Sequence, residues 1–289
     1  MNIRQNVRQL PDSFKQTIVR SSERSKVAAL VRSLGLHTVC EEARCPNRNG
    51  CYAQGTATFL VMGPSCTRDC RFCAVAKGRP EMPDPDEPAR LARAVAELGL
   101  SYAVITSVTR DDLADGGAGH FAAVIGAIRS RSPETAVEVL VPDFQGNPAS
   151  IQTVIDSAPD VLNHNLETVE RLYPRIRPQA DYRRSLSLLS QAKRAGLTTK
   201  CGLMAGLGET VDEVKTALRD LSAAGCDLVT IGQYLAPSAD HLPIDRFWTD
   251  AEYAQVSEYG ERLDGIKKVL AGPLVRSSYQ ARTIYQETV

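Results

Sequence analysis

The sequence predicts an α/β fold built on a parallel sheet, from the order in which strand-like and helix-like segments occur. From Ala57 onward, short apolar runs of strand length alternate with segments in which apolar residues recur at helical spacing. Parallel strands need crossover connections, so this alternation is typical of a parallel sheet covered by helices. Six such units in about 180 residues are too few for a closed eight-stranded barrel. They suit a partial (β/α)6 barrel, with a doubly wound open sheet as the main alternative.

Each predicted strand is a short apolar run that ends in polar or glycine residues. In chain order the runs are TFLVM, YAVITS, AVEVLV, DVLNHNL, TTKCGLM and DLVTIG, with KKVLAG as a candidate seventh. The predicted helices are residues 22–35 and the segments marked by Leu91/Val95/Leu98, Phe121/Val124/Ile125/Ile128, Leu186/Leu189 and Val211/Val214/Leu218/Leu221. Thr210 with Glu213, and Thr249 with Glu252, have capping-box spacing, which predicts that helices begin at both places.

Composition narrows the class of protein. Lys plus Arg and Asp plus Glu number 34 each, so the basic surplus expected of a nucleic-acid-binding protein is missing. No apolar run reaches the ~18 residues of a membrane span, and the first residues lack the apolar core of a secretory signal. We therefore expect a cytoplasmic protein that binds neither nucleic acid nor membrane. In a reducing cytosol, clustered cysteines predict metal or redox ligands rather than disulfides.

Six of the eight cysteines form two triplets between Val39 and Cys73. The first triplet is Cys40, Cys45 and Cys51, with C-x4-C-x5-C spacing, and the second is Cys66, Cys70 and Cys73, with C-x3-C-x2-C spacing. Tetrahedral zinc sites and cubane iron–sulfur clusters both take four protein ligands, so each triplet is one ligand short. The compact second triplet matches zinc ribbons poorly, whereas three thiolates could hold three irons of a cubane and leave the fourth iron open. Cys201 and Cys226 lie in apolar runs and are predicted core cysteines.

Polar side chains follow several of the predicted strands. Functional residues of barrels and open sheets gather where strands end, and His164, Glu167 and Tyr234 stand at such positions. Helix capping and turn chemistry explain some of these stretches equally well. His120 and His164 are expected to be hydrogen-bonded barrel residues rather than catalysts.

The second triplet, with Phe72 before its last cysteine, resembles the signature of the radical S-adenosylmethionine (SAM) superfamily. The stretch GLMAGLGE, residues 202–209, is similar to that superfamily's G-x-I-x-G-x-x-E pattern, with Met204 in the isoleucine place. The resemblance implies that the second triplet holds a [4Fe–4S] cluster whose open iron binds SAM. It also implies that the cofactor contacts are Phe72, Asn165, Glu167, Gly202, Met204 and Gly206. For Asp111, Asp112 and Asp115, a solvated loop face and assistance in SAM binding both stay open.

The first triplet, read together with TATF, DDLADGGAGHF, LVPDF, NHNLET, GQYL and the late RSSYQA, resembles the lipoyl synthase family over residues 35–281. That resemblance implies an auxiliary [4Fe–4S] cluster on Cys40, Cys45 and Cys51, with Ser278 as its fourth ligand. It further implies a partial TIM-like barrel of the radical SAM type at residues 57–248. Extensions at residues 1–56 and 249–289 would cap the open end.

The implied reaction is radical insertion of sulfur at C6 and C8 of a protein-bound octanoyl-lysine, with the auxiliary cluster as sulfur donor. Its partners would be octanoylated lipoyl-domain carrier proteins and an electron donor of the flavodoxin or ferredoxin type. Two alternatives stay open. One is another radical SAM sulfur inserter that is similar to biotin synthase. The other is a zinc-organised binding module without enzymatic activity, in which His37 or a nearby carboxylate completes the first triplet.

Overall fold

A single curved sheet organises the molecule. The computed structural model describes Phe14 and residues 21–288. Its main sheet has eight strands in the order β1-β2-β5-β6-β7-β8-β9-β10, and β3 and β4 form a separate pair. The strands are β1 (His37–Thr38), β2 (Thr58–Val61), β3 (Ser65–Cys66), β4 (Ala76–Lys77), β5 (Tyr102–Ser107), β6 (Ala136–Leu140), β7 (Val161–Asn163), β8 (Thr198–Ala205), β9 (Leu228–Gln233) and β10 (Lys268–Gly272).

Helices connect the strands and pack against the sheet. They are α1 (Ser22–Ser33), α2 (Val39–Glu42), α3 (Arg48–Ala53), α4 (Glu87–Glu97), α5 (Ala118–Arg131), α6 (Pro148–Asp156), α7 (Tyr173–Ile176), α8 (Tyr182–Arg194), α9 (Val211–Ala223), α10 (Asp250–Glu261) and α11 (Ala281–Gln286). Thr210 and Thr249 begin α9 and α10, and both predicted capping boxes are present. Within the described part of the chain, no helix has the length and apolar character needed to span a membrane.

The strand order confirms the partial barrel. From β2 to β10 every neighbouring pair in the main sheet is parallel, and the strands follow one another in chain order. A doubly wound sheet would reverse its strand order at a switch point, so that alternative is wrong. The sheet also reaches past the predicted barrel limits, because β1 pairs antiparallel with β2 and the candidate seventh strand, β10, pairs with β9.

Charged residues meet on the concave face of the sheet. Lys200 of β8 places its Nζ 3.0 and 3.1 Å from the two carboxylate oxygens of Glu138 on β6. The same carboxylate accepts hydrogen bonds from the Tyr102 hydroxyl of β5 and from the Asn163 amide of β7. These side chains come from four successive strands and meet on one face of the sheet, where Lys200, Glu138 and Asn163 are fully buried, as expected for the interior of a barrel.

The C-terminal segment runs along this concave side. After β10 the chain turns back, so that the Tyr285 ring of α11 lies 5.4 Å from the Tyr102 ring at the start of β5. Ala281 of α11 is buried in the same cluster as Val104. The C-terminal extension therefore reaches into the barrel as far as the first residues of β5. Elsewhere in the core, Cys201 and Cys226 are fully buried, as predicted.

Candidate functional site

The second triplet lies in the loop that follows β2. Cys66 ends β3, whose pairing with β4 closes the loop, and the Cys73 amide donates to the Cys70 carbonyl at 3.1 Å. Burial, with smaller contributions from the nearby Cys70 and Cys66, raises the pKa of Cys73 to about 12. Cys66 and Cys70 are thus close enough to Cys73 to disfavour its ionisation. Iron ligands must be thiolates, so metal loading here has to displace protons.

This loop faces the residues after β7. Burial raises the pKa of Cys70, Arg177 opposes that shift, and Glu167 adds to it. Glu167 has a left-handed backbone conformation with φ +66°, which is uncommon for a residue other than glycine and concentrates at functional sites. Its backbone is held on both sides, because it donates to the Gly202 carbonyl and accepts from the Met204 amide.

Arg177 is a residue that the sequence analysis missed. Its Nη1 donates to the backbone carbonyls of Asn165 and Leu166 at 2.8 and 2.9 Å. Its buried Nε has no hydrogen-bond partner among the described residues. The positive charge of the guanidinium opposes the rise that burial causes in the pKa of the nearby Cys70. No local pattern marked Arg177, since it lies in an irregular stretch after α7.

The first triplet is built on two short helices before β2. Cys40 lies in α2 and Cys51 in α3, and the Cys45 amide between them donates to the Cys40 carbonyl. Burial raises the pKa of Cys40 to about 12, with contributions from Cys45 and Cys51. Burial also raises the pKa of Cys51 to about 11, with a contribution from Cys45. This triplet has the same donor chemistry as the second.

The C-terminal segment meets the first triplet directly. The Asn47 side chain, between Cys45 and Cys51, donates to the Leu274 carbonyl at 2.7 Å. Burial lowers the pKa of Arg276, and the nearby Cys45 opposes that shift. The RSSYQA motif therefore lies beside the first triplet, although more than 200 residues separate the two in the sequence.

The two serines of this motif have different partners. Ser277 donates to the Asn165 side-chain oxygen at 2.9 Å, and Asn165 in turn donates to Glu167 at 3.0 Å. No hydrogen bond joins the Ser278 hydroxyl to any other described residue. Ser277 is thus hydrogen-bonded to the residues near the second triplet, whereas the Ser278 hydroxyl is not tied to them. Ser278 as a ligand stays a prediction that this difference favours.

At two glycines of the GLMAGLGE stretch, other parts of the chain occupy the space that a Cβ would take. A Cβ at Gly202 would lie 2.4 Å from the Ser277 hydroxyl. A Cβ at Gly206, where φ is +89°, would lie 2.0 Å from the Gln233 amide nitrogen. Glu209 holds this turn by accepting from the Gly206 and Leu207 amides at 2.6 and 2.9 Å. Contacts of Gly202 and Gly206 with SAM stay predictions, and the same holds for Met204 and Phe72, which are partly buried against the core.

His120 and His164 are both hydrogen-bonded to other parts of the chain. His120 contacts Glu87 at 2.7 Å, and Glu87 also accepts from the Met62 amide at the end of β2. His164 is buried between the Val141 carbonyl and the Ser185 hydroxyl. Burial lowers the pKa of His164 to about 4, so it is neutral at pH 7. Both confirm the prediction of hydrogen-bonded barrel residues.

Both triplets offer thiol donors. All eight cysteines are free thiols, and His37 pairs with Glu42 at 3.1 Å. In the region that the structure describes, no three His, Cys, Asp or Glu side chains form a group that could hold one metal ion. Three free thiols per triplet are donors that suit a [4Fe–4S] cluster, in which each cysteine binds a different iron.

The chain is similar to known proteins in sequence and in fold. A family model described as the Radical SAM superfamily matches residues 60–221. A lipoyl synthase of Desulfotalea psychrophila is 50% identical over 279 residues, covering 96% of this chain and 93% of the relative. A lipoyl synthase of Methylococcus capsulatus is 54% identical over 274 residues, covering 94% and 85%. Among solved structures, Streptococcus suis SuiB bound to S-adenosylmethionine is similar in fold, with a TM-score of 0.58 at 12% identity over 86% of this chain and 60% of that one.

Proposed function

The chain belongs to the lipoyl synthase family of the radical SAM superfamily, and on that premise we propose how its residues carry out the reaction. The protein is a radical SAM enzyme that inserts sulfur at C6 and C8 of a protein-bound octanoyl-lysine, and its cofactors are SAM and two [4Fe–4S] clusters. Similarity over nearly the whole chain favours this reaction over a biotin-synthase-like one and over a zinc-organised module.

One observation carries the assignment of the site. Two hydrogen bonds lie between the two triplets, from Ser277 to Asn165 and from Asn165 to Glu167. At one end the charge of Cys45 acts on Arg276, the neighbour of Ser277, and at the other end the charge of Glu167 acts on Cys70. A reaction that makes a radical at one centre and takes sulfur from another needs both centres close to one substrate, and this arrangement supports that.

We assign the second triplet to the SAM-cleaving cluster and the first to the sulfur donor. When bound, the cluster on the second triplet would supply the electron that cleaves SAM, so that a 5'-deoxyadenosyl radical can take hydrogen from carbons that resist acid–base chemistry. Around it, Asn165 and Glu167 present an amide and a carboxylate suited to the SAM ribose. Arg177 keeps positive charge beside Cys70. Phe72, Gly202, Met204 and Gly206 line the remainder of the proposed SAM site.

The first triplet takes Ser278 as its fourth ligand in this proposal. A serine oxygen is a harder ligand than a thiolate and holds iron less firmly. That property suits a cluster that must give up sulfur. The hydrogen bond from Asn47 to the Leu274 carbonyl holds the segment that carries Ser278 near the triplet.

The protein acts on lipoyl-domain substrates. We propose that the octanoylated carrier presents its lysine arm to the concave side of the sheet. We further propose that a flavodoxin or ferredoxin supplies electrons, and that the enzyme works in the cytoplasm without nucleic acid or membrane partners. The equal numbers of acidic and basic residues support the absence of a nucleic-acid partner.

Anaerobic turnover of an octanoyl-lysyl peptide tests the assignment through two triple variants. Replacing Cys66, Cys70 and Cys73 by Ala should leave about four of the eight irons expected for two four-iron clusters and abolish SAM cleavage. Replacing Cys40, Cys45 and Cys51 by Ala should also leave half of the iron, but SAM cleavage should continue while no sulfur is inserted. Release of 5'-deoxyadenosine by the first variant, or lipoyl product from the second without added sulfur, would show the assignment to be wrong.

A further inference from the structure

Arg68 lies inside the second-triplet loop, between Cys66 and Cys70, yet its side chain points into the protein. Only 4% of that side chain is exposed. Its Nε and Nη2 form a fork on Asp111, at 2.6 and 2.9 Å, and Nη2 also donates to Asp143 at 2.6 Å. One guanidinium therefore ties the loop after β2 to the loops after β5 and β6.

The carboxylates are themselves held in place. Asp143 is buried, and its second oxygen lies 2.9 Å from Nε of Arg184 on α8. Burial alone would raise the pKa of Asp143, but Arg68 holds it below its usual range. A buried, bidentate ion pair with further partners has a defined geometry, unlike an exposed pair. The clamp, meaning Arg68 with Asp111 and Asp143, is thus rigid.

The same loop aims two backbone amides at one sulfur. The Arg68 amide lies 3.5 Å from Cys66 Sγ, and the Thr109 amide lies 3.3 Å from it. Thr67 joins the two loops, because its hydroxyl donates to the Thr109 carbonyl and accepts from the Asp111 amide. The Arg68 N–H belongs to the loop that carries Cys66 and depends on how the Arg68 side chain is anchored, whereas the Thr109 N–H keeps its aim only while the loops after β2 and β5 stay in register.

We propose that Arg68 is a positioning residue whose clamp on Asp111 and Asp143 holds two backbone N–H groups on the Cys66 sulfur and thereby sets the reduction potential of the SAM-cleaving cluster. The inference rests on the proposed assignment of the second triplet. One-electron reduction adds a negative charge to the cluster. N–H groups aimed at a ligand sulfur stabilise that charge and raise the potential. Asp111 and Asp143 thus act on the cluster indirectly, through Arg68.

Asp112 provides a matched control. It is the neighbour of Asp111 and also accepts a fork, at 2.9 and 2.8 Å, but from Arg110 rather than from the second-triplet loop. Asp111→Ala and Asp112→Ala remove the same atoms and the same charge. A plain charge effect would raise the potential in both variants, because a negative group is lost near the cluster. Loss of the loop position predicts the opposite sign for Asp111→Ala alone.

The experiment is an EPR-monitored redox titration of the full chain with its first triplet replaced by Ala, so that one cluster is read. We expect Asp111→Ala to make reduction about tenfold less favourable, a downward shift of about 59 mV for a one-electron couple. Asp112→Ala should show no downward shift. Arg68→Lys keeps the charge but cannot form the fork, so its potential should also fall. The inference is overturned if the reduction potential rises in Asp111→Ala or stays at the unmodified value in Arg68→Lys.

Failure of the underlying assignment has a different signature. If the protein with an intact clamp takes up no iron at the second triplet and cleaves no SAM, the proposed function is at fault. If it loads iron and cleaves SAM while the clamp variants keep its potential, only the role of Arg68 is at fault.

Discussion

A methyl group added at Gly232 should slow sulfur insertion far more than it slows SAM cleavage. Gly232 lies in β9 opposite Met204, and its backbone is compatible with alanine. A Cβ there would lie 1.9 Å from the Val275 carbonyl oxygen, three residues before Ser278. Real Cβ contacts essentially never fall below 3.0 Å, so Gly232→Ala must push the C-terminal segment back by about 1 Å.

A displacement of that size at a reacting group costs roughly 100-fold in rate. We therefore expect Gly232→Ala to form lipoyl product about 100-fold more slowly and to lose part of the iron bound by the first triplet. SAM cleavage should fall less than product formation, because the displaced segment acts on the second triplet indirectly, through the hydrogen bonds from Ser277 to Asn165 and from Asn165 to Glu167. The assay is anaerobic product formation, 5'-deoxyadenosine release and iron content, measured on one preparation.

Gly126→Ala is the control. Gly126 lies on the exposed side of α5, and a Cβ there meets nothing within 4 Å. Alanine is favoured over glycine in a helix by about 1 kcal/mol, so this variant should be slightly more stable and fully active. If Gly232→Ala keeps its full iron content and forms product at the unmodified rate, the C-terminal segment does not need its position against β9 and the reasoning fails.

Three further predictions concern the serine ligand, acid sensitivity and the barrel interior. Ser278→Cys should keep its auxiliary cluster but insert sulfur poorly in a single turnover, while Ser277→Ala should be less impaired; full activity in Ser278→Cys would falsify the labile-ligand argument. His164 has its pKa lowered from 6.5 to about 4, so the unfolded chain binds the extra proton first. Unfolding free energy should therefore fall by about 1.4 kcal/mol per pH unit on acidification through that window, and denaturant titrations of His164→Asn should show a shallower fall. Glu138→Gln leaves Lys200 charged and buried, which should cost about 3–5 kcal/mol in urea unfolding; adding Lys200→Met should recover most of it, and an equally unstable double variant would contradict this account.

The ion pair inside the barrel explains the size of the last effect. Lys200 and Glu138 have side chains that are 1% and 0% exposed. Removing one partner leaves an uncompensated charge, whereas removing both charges leaves no buried charge inside the barrel. Tyr102 and Asn163 add hydrogen bonds to the same carboxylate, so each oxygen of Glu138 has its partners.

Local patterns in the sequence were sufficient for most of the scaffold. Strand and helix periodicity predicted all six barrel strands and the candidate seventh, because each buried face repeats within a few residues. The capping boxes at Thr210 and Thr249 were predicted correctly for the same reason: their partners lie three residues away. Two triplets of free thiols could likewise be predicted from cysteine spacing, and residues 202–209 were placed correctly on β8 and the turn after it.

Other features depended on how the sheet curves. Asn47 reaches Leu274 across 227 positions, and Arg68 reaches Asp143 across 75. Periodicity carries no information about which distant loops the hollow of the barrel brings together. The different partners of Ser277 and Ser278 could not be predicted either, because adjacent serines in one motif look alike until the segment lies against Asn165. The sequence alone therefore determined the elements and the ligand types, and the tertiary structure decided which side chains hold them in place.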